Sequence, residues 1–328
     1  MLRLYTRQAD QLVPLENLPT DMHSVSCLWL DLITPTPEED RWVEAYLGVS
    51  IPTRDEMEEI ELSSRLYQED GAEFMTMTAL TNLDADEPAK TPVTFILKGT
   101  SLVTVRYAEP KPFAAYALRA QRPNGVLNST GELIMLGLLE AVVDRMADAL
   151  ELVGNEVDAI SREVFRNKAS SVTKKTRNLQ SLIERIGSKG DNLTMIRESL
   201  ISITRVVTYH AAIDKGNQKP SKEGRQRIKL IQRDASSLGE HAAFLSNKIN
   251  FLLDATLGLI NLEQNQIIKI FSVAAVVFLP PTLIASIYGM NFEHMPELQW
   301  LLGYPWALGL MVVSAILPYV YFKQRGWL

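Results

Sequence analysis

Tyr288-Gly289-Met290-Asn291-Phe292-Glu293-His294-Met295-Pro296-Glu297-Leu298 gathers a carboxamide, a glycine backbone, two carboxylates and an imidazole into one short loop between two uncharged apolar stretches. A loop of this kind suits the mouth of an ion pathway. Covalent or acid–base catalysis has little to work with elsewhere. His23, His210, His241 and His294 are scattered, neither a His-Glu-x-x-His nor a phosphate-loop spacing occurs, and Cys27 is the one cysteine, with no evident base beside it. The sequence therefore does not read as an enzyme.

The elements that must position this loop are two membrane spans. Ile270 to Phe292 is about 23 residues without a charge, roughly 35 Å of helix against a hydrocarbon core of about 30 Å. Leu298 to Phe322 is about 25 residues long and contains Pro305 and Pro318, which membrane helices tolerate. Lys269 precedes the first span, Lys323 and Arg325 follow the second, and the loop between carries Glu293 and Glu297 with no Lys or Arg. By the positive-inside rule both termini face the cytosol. No basic and apolar leader resembling a secretory signal precedes residue 30. A lone cysteine agrees with a reducing compartment. The net charge of −6 argues against a nucleic-acid partner.

Upstream, residues 1–128 read as an α/β domain. β-rich runs at Val25–Leu32, Glu73–Thr81, Val93–Leu97 and Leu102–Tyr107 are interspersed with helical patterns near Pro37–Leu47 and Pro110–Arg119. Residues 129–266 read as a stalk of long helices, Gly131–Phe165, Lys174–Tyr209 and Gly224–Asn265, with a turn at Asp214–Gly224. The remainder divides into a first transmembrane helix (267–292), an external loop (293–297), a second transmembrane helix (298–322) and a basic tail (323–328). The fold class is α+β: a cytosolic α/β domain, a helical stalk and two C-terminal transmembrane helices.

Two stripes run along the last stalk helix and the first span. Ile231, Leu238, Leu245, Leu252 and Leu259 recur every seventh residue and fit either an ordinary core stripe within the chain or a seam between subunits. Asp254, Asn261, Ile268, Ala275, Thr282 and Gly289 form a second heptad stripe that is small and polar for a membrane helix. Small residues also suit close helix packing. Asp254 and Asn261 at the cytosolic end and Asn291 at the outer end favour a water-accessible path. Two spans cannot enclose a channel, so a pore requires several copies about an axis, with the first span inside and the more uniformly apolar second span outside.

The run Tyr288-Gly289-Met290-Asn291 followed by Met295-Pro296-Glu297-Leu298 resembles the signature loop of the CorA family of divalent-cation channels. Asn265-Gln266-Ile267-Ile268-Lys269-Ile270-Phe271, Phe278-Leu279-Pro280-Pro281-Thr282 and Tyr321-Phe322-Lys323-Gln324-Arg325-Gly326-Trp327-Leu328 are similar to that family as well. Upstream the resemblance is architectural, with Trp29-Leu30-Asp31-Leu32 as its best local feature.

The resemblance implies a homopentamer in the inner (plasma) membrane, importing Mg²⁺ and also passing Co²⁺ or Ni²⁺, with membrane lipid as its surroundings. It places Gly289, Met290 and Asn291 in a selectivity filter, where neutral Asn291 carboxamides and Gly289 carbonyls accept hydrogen bonds from the waters of a reluctantly dehydrating ion. It gives Asn265 and Thr282 polar pore positions, and Ile268, Phe271 and Leu279 apolar constrictions, although Phe271 lies one step off the heptad stripe. Glu293 and Glu297 would concentrate cations at the mouth. Closure by cytosolic Mg²⁺ between subunits would draw on Asp254 or Asp234, faced by Asp84, Asp86 and Glu87. The sequence departs from many relatives at His294, commonly an aromatic, and in a tail with just two basic residues. A zinc transporter of the same superfamily and a non-conducting, membrane-anchored metal sensor are the alternatives.

Overall fold

The structure is a computed structural model that describes the chain apart from residues 9–10, 16–25, 84–87, 123–129, 167–171, 214–221, 292–294 and 328. Strands β1 (Leu2–Gln8), β2 (Gln11–Leu15) and β3 (Cys27–Ile33) lead into helices α1 (Pro37–Leu47), α2 (Arg54–Glu58) and α3 (Leu62–Arg65). Then follow β4 (Leu66–Glu69), β5 (Ala72–Thr81), β6 (Ala89–Lys98), β7 (Ser101–Arg106) and α4 (Lys111–Ala120). Thr36 and Thr53 open α1 and α2 with reciprocal caps: each threonine hydroxyl accepts from the N–H three residues on, and Glu39 and Glu56 accept from the threonine N–H.

The strands form one seven-stranded sheet in the order β2-β1-β3-β7-β6-β5-β4. β3 and β7 are parallel, with Trp29 beside Leu102 and Asp31 beside Thr104, and the other pairings are antiparallel. Every residue of β3 and β7 is buried, as expected of strands covered on both faces. This explains Trp29-Leu30-Asp31-Leu32. Trp29 Nε1 donates to Thr104 Oγ1 at 2.9 Å, and Arg106 donates through Nε and a terminal nitrogen to the two carboxylate oxygens of Asp31 at 2.9 and 2.8 Å. The motif is a satisfied polar pair inside the sheet.

Three long helices follow: α5 (Gly131–Arg166), α6 (Val172–Ala212) and α7 (Lys222–Tyr288), then α8 (Gly303–Gln324). Two compact units result. One comprises Met1–Phe165 with Glu184–Phe251, the other Arg166–Ile183 with Leu252–Leu328, and α7 contributes to both. In the first unit, fully buried His210 on α6 sits between two carboxylates, with Nδ1 2.7 Å from Glu73 of β5 and Nε2 3.3 Å from Glu132 of α5. The sheet and two helices meet at that ring. Ion pairs Arg185–Glu163 and Lys189–Glu156 join α6 to α5, and Lys248–Asp158 joins α7 to α5.

The structure moves some expected boundaries. The stalk pattern and the first apolar run belong to one helix, since α7 runs unbroken from Lys222 to Tyr288 across residue 266. Gly224, expected in a turn, lies inside α7; the rest of that turn up to residue 221 is outside the described residues. The second apolar run opens as a 3-10 turn (Pro296–Gln299) before α8 begins at Gly303. Pro305 falls in the first turn of α8, where its missing N–H would have had no helical acceptor. Ile231, Leu245 and Leu252 of the first heptad stripe are buried within the single chain, so at those positions the stripe is core.

Candidate functional site: a membrane helix and its outer cap

The C-terminal part of α7 and all of α8 are long and apolar enough to cross a membrane, and almost none of their apolar windows is buried inside the chain. Ile268, Phe271, Leu279, Leu310, Val313 and Leu317 are all exposed. A soluble hairpin core would bury these side chains. Helices this apolar and this bare require lipid or further copies of the chain.

One face of α7 stands apart. Ala275, Phe278, Leu279, Thr282, Leu283 and Ser286 line a shallow groove of about 380 Å³. At about 100° per residue, Phe271 lies within roughly 20° of Thr282 around the helix, Ile268 within about 40° and Leu279 within about 60°. Ordinary helical geometry thus brings Phe271 onto this face, which a strict seven-residue count had set to one side. Asn265 lies about 100° away by the same measure, near the flank.

Thr282 Oγ1 donates to Phe278 O at 2.7 Å, which leaves the lone pairs of an exposed hydroxyl as acceptors. Pro280 and Pro281 sit inside α7 without amide hydrogens, so the carbonyls of Val276 and Val277 have no donor four residues on. Within a membrane such groups turn to water, a side chain or another helix.

The helix ends where the loop begins. Gly289 N–H donates to Ala285 O at 2.9 Å and Met290 N–H to Ile287 O at 3.2 Å, which fixes both residues on the last turn. A Cβ at Gly289 would stand 3.1 Å from Ala285 O, closer than most side chains come. Met290 and Asn291 are exposed beyond it. Of the mouth carboxylates, Glu297 opens the 3-10 turn and is half-buried, while Glu293 and His294 lie outside the described residues.

Gly303 is a residue the sequence reading passed over. Its N–H donates to Trp300 O at 3.1 Å, and a Cβ there would stand 2.2 Å from Glu297 O, so glycine alone lets the turn carrying Glu297 close on α8. The arrangement of aromatic residues at the two ends of α8 as paired belts was also passed over. Trp300, Tyr304 and Trp306 cluster at its start, and Tyr319, Tyr321 and Trp327 at its end, all exposed. The signal was present in the sequence: paired aromatic belts mark the two membrane interfaces. At the second belt Lys269 lies 5.8 Å from the Trp327 ring and Arg325 5.6 Å from that of Tyr321, so the basic residues flanking the two spans share one end.

Two of the expected regulatory carboxylates lie on α7. Asp254 is exposed on α7, Asp234 is held by the adjacent Arg233 at 3.1 Å, and Asp84, Asp86 and Glu87 lie outside the described residues. Among the described residues no cluster of three or more His, Cys, Asp or Glu side chains could hold a metal ion.

Several known proteins are similar to this chain. A magnesium transport protein CorA of Yersinia pseudotuberculosis serotype I (strain IP32953) is 37% identical over 304 residues, 92% of each chain. One of Escherichia coli (strain K12) is 34% identical over 331 residues, covering the whole of both chains. The fold matches the complete structure of the CorA magnesium transporter from Methanocaldococcus jannaschii with a TM-score of 0.79 at 19% identity, over 100% of this chain and 99% of that one. The profile described as CorA-like Mg²⁺ transporter protein matches residues 25–324. With two bare apolar helices joined by a Gly-Met-Asn cap, and with relatives above 30% identity along its whole length, the chain belongs to the CorA-like Mg²⁺ transporter family.

Proposed function

We propose that this protein is a Mg²⁺ channel in which several copies surround an axis and present the Thr282 face of α7 to water. The observation that carries the reading is that face itself: exposed, grooved, with hydroxyl lone pairs at Thr282, and ending at Gly289-Met290-Asn291. A hydrated Mg²⁺ offers outward-pointing water hydrogens, and neutral oxygen acceptors hold these without stripping the shell. Asn291 carboxamides and Gly289 carbonyls, repeated around the axis and spaced by Met290, form the filter. Thr282, with Asn265 toward the cytosol, provides polar relay positions. Ile268, Phe271 and Leu279 form apolar rings that stop conduction by dewetting when they close. Glu293 and Glu297 raise the cation concentration at the mouth.

The finer assignments follow the family resemblance and the distribution of charge. The assembly is a homopentamer in the inner membrane with both termini cytosolic, supported by Lys269, Lys323 and Arg325 at one end of the spans. Co²⁺ and Ni²⁺ share the octahedral hexahydrate chemistry and pass by the same route. Cytosolic Mg²⁺ bound between subunits at Asp254 or Asp234, opposite Asp84 and Asp86, closes the pathway. The protein carries out no covalent chemistry.

The test is Mg²⁺ entry into proteoliposomes with an entrapped fluorescent indicator. Wild-type flux that falls at least tenfold in Asn291→Ala is the expected result. An intact, correctly inserted wild-type protein that passes neither Mg²⁺, Co²⁺, Ni²⁺ nor Zn²⁺ would replace the channel with a metal sensor. Zn²⁺ flux alone would assign the zinc-transporting function.

A further inference from the structure

A cavity of about 600 Å³ in the first unit lies between the ends of α2 and α3, strands β5 and β6, and α6. That volume falls within the range of small-molecule sites. Its lining is chemically divided. Arg65 and Arg205 supply guanidinium groups, Thr78 and Ser202 supply hydroxyls, and Ile60, Ile201 and Pro92 form an apolar side.

The charges do not cancel. Glu58 is taken up by Arg54 at 2.7 Å, and Glu198 by Lys90 at 2.9 Å. Arg65 spends its Nε on the neutral carbonyl of Glu59 and one terminal nitrogen on the Thr78 hydroxyl at 3.3 Å, so it is oriented with its charge uncompensated. Arg205 makes no hydrogen bond or ion pair among the described residues. Ser202 ties the α6 wall to β5 by accepting from Thr78 N–H at 3.0 Å, which keeps the wall in place. Exposure of Ile60 at 91% and Ile201 at 42% leaves apolar surface beside two guanidiniums that no carboxylate pairs.

We infer that this cavity binds a nucleoside phosphate, with the phosphates on Arg65 and Arg205 and the base and sugar against Ile60, Ile201 and Pro92. Guanidinium groups match phosphate oxygens in pairs, and the apolar side gives a flat heterocycle a surface that inorganic phosphate cannot use. The inference goes beyond the transport reading and does not depend on it.

The test is isothermal titration of the full-length protein in detergent, stripped of divalent cations with EDTA, against ATP, ADP, adenosine and inorganic phosphate. ATP or ADP should bind saturably at one site per chain, with inorganic phosphate and adenosine at least tenfold weaker. Arg205→Ala, an exposed change that leaves the fold intact, should weaken nucleotide binding at least tenfold. Arg205→Lys should recover part of the loss, and Arg233→Ala on α7 should leave affinity within twofold of wild type. Absence of saturable nucleotide binding at millimolar concentration, equal binding by wild type and Arg205→Ala, or inorganic phosphate binding as tightly as ATP would each overturn the inference.

Discussion

At the residue scale, the first unit is held by buried polar groups whose partners come from distant parts of the chain. His210 links Glu73 and Glu132 across three elements. Removing the ring leaves two carboxylates without their hydrogen-bond partner, so His210→Ala should lower unfolding stability by about 1–3 kcal/mol, the usual cost of leaving buried polar groups unsatisfied. Denaturant unfolding of the detergent-solubilised protein measures it; a loss within about 0.5 kcal/mol, the size of an ordinary surface change, would show that the ring holds nothing together. Glu140 gives a pH signature. Burial pushes its carboxyl up, and Arg227 and Arg119 pull it back only in part. A carboxyl raised in the folded state binds its proton more tightly there, so it costs stability as pH climbs from the unfolded value through the raised one. Glu140→Gln should therefore gain melting temperature relative to wild type as pH rises above the ordinary glutamate value of about 4.3, and a relative loss there would contradict the assignment. None of these partnerships was legible in the sequence. His210 and Glu73 are more than a hundred residues apart, and only the fold brings them to 2.7 Å.

At the element scale, Gly303 lets the turn carrying Glu297 close on α8. Gly303→Ala would set a methyl group 2.2 Å from Glu297 O, so the turn must shift. The expected cost is about 1–3 kcal/mol, as for other overpacked sites. Reduced Mg²⁺ flux with unchanged assembly is the expected readout, and unaltered flux and stability would show that the turn tolerates the shift. The sequence made the strongly patterned elements legible: α1 matches its expected span at Pro37–Leu47, and β5 and β7 lie within a residue of theirs at each end. It did not disclose β1, β2 or β4. β2 is five residues with Pro14 inside, β4 is four residues, and both are sheet edges where too few residues alternate to register a period. The continuity of α7 was legible in the heptad stripe from Asp254 to Gly289, which crosses the change from charged to apolar composition without losing its phase. Within the candidate site, the Gly-Met-Asn cap and the polar stripe were legible because membrane helices seldom carry such residues. Phe271 needed the true helical angle, and Gly303 needed the position of a backbone carbonyl.

At the scale of the whole molecule, the single chain leaves its most distinctive surface uncovered, and an axis shared by several copies would cover it. Cross-linking or native mass measurement in detergent should find five copies, and a monodisperse monomer retaining flux would contradict a pore built between subunits. The chain offers a direct probe of the face itself, because Cys27 is its one cysteine and is buried. Thr282→Cys and Leu310→Cys therefore place single reactive thiols on the proposed pore face of α7 and on the membrane-facing helix α8. The decisive measurement is Mg²⁺ flux into proteoliposomes containing each variant, before and after treatment with a charged, water-soluble thiol reagent. Flux through Thr282→Cys should fall at least tenfold on modification while Leu310→Cys is unaffected; unchanged flux through a Thr282→Cys protein shown by mass to be modified would contradict the pathway proposed here.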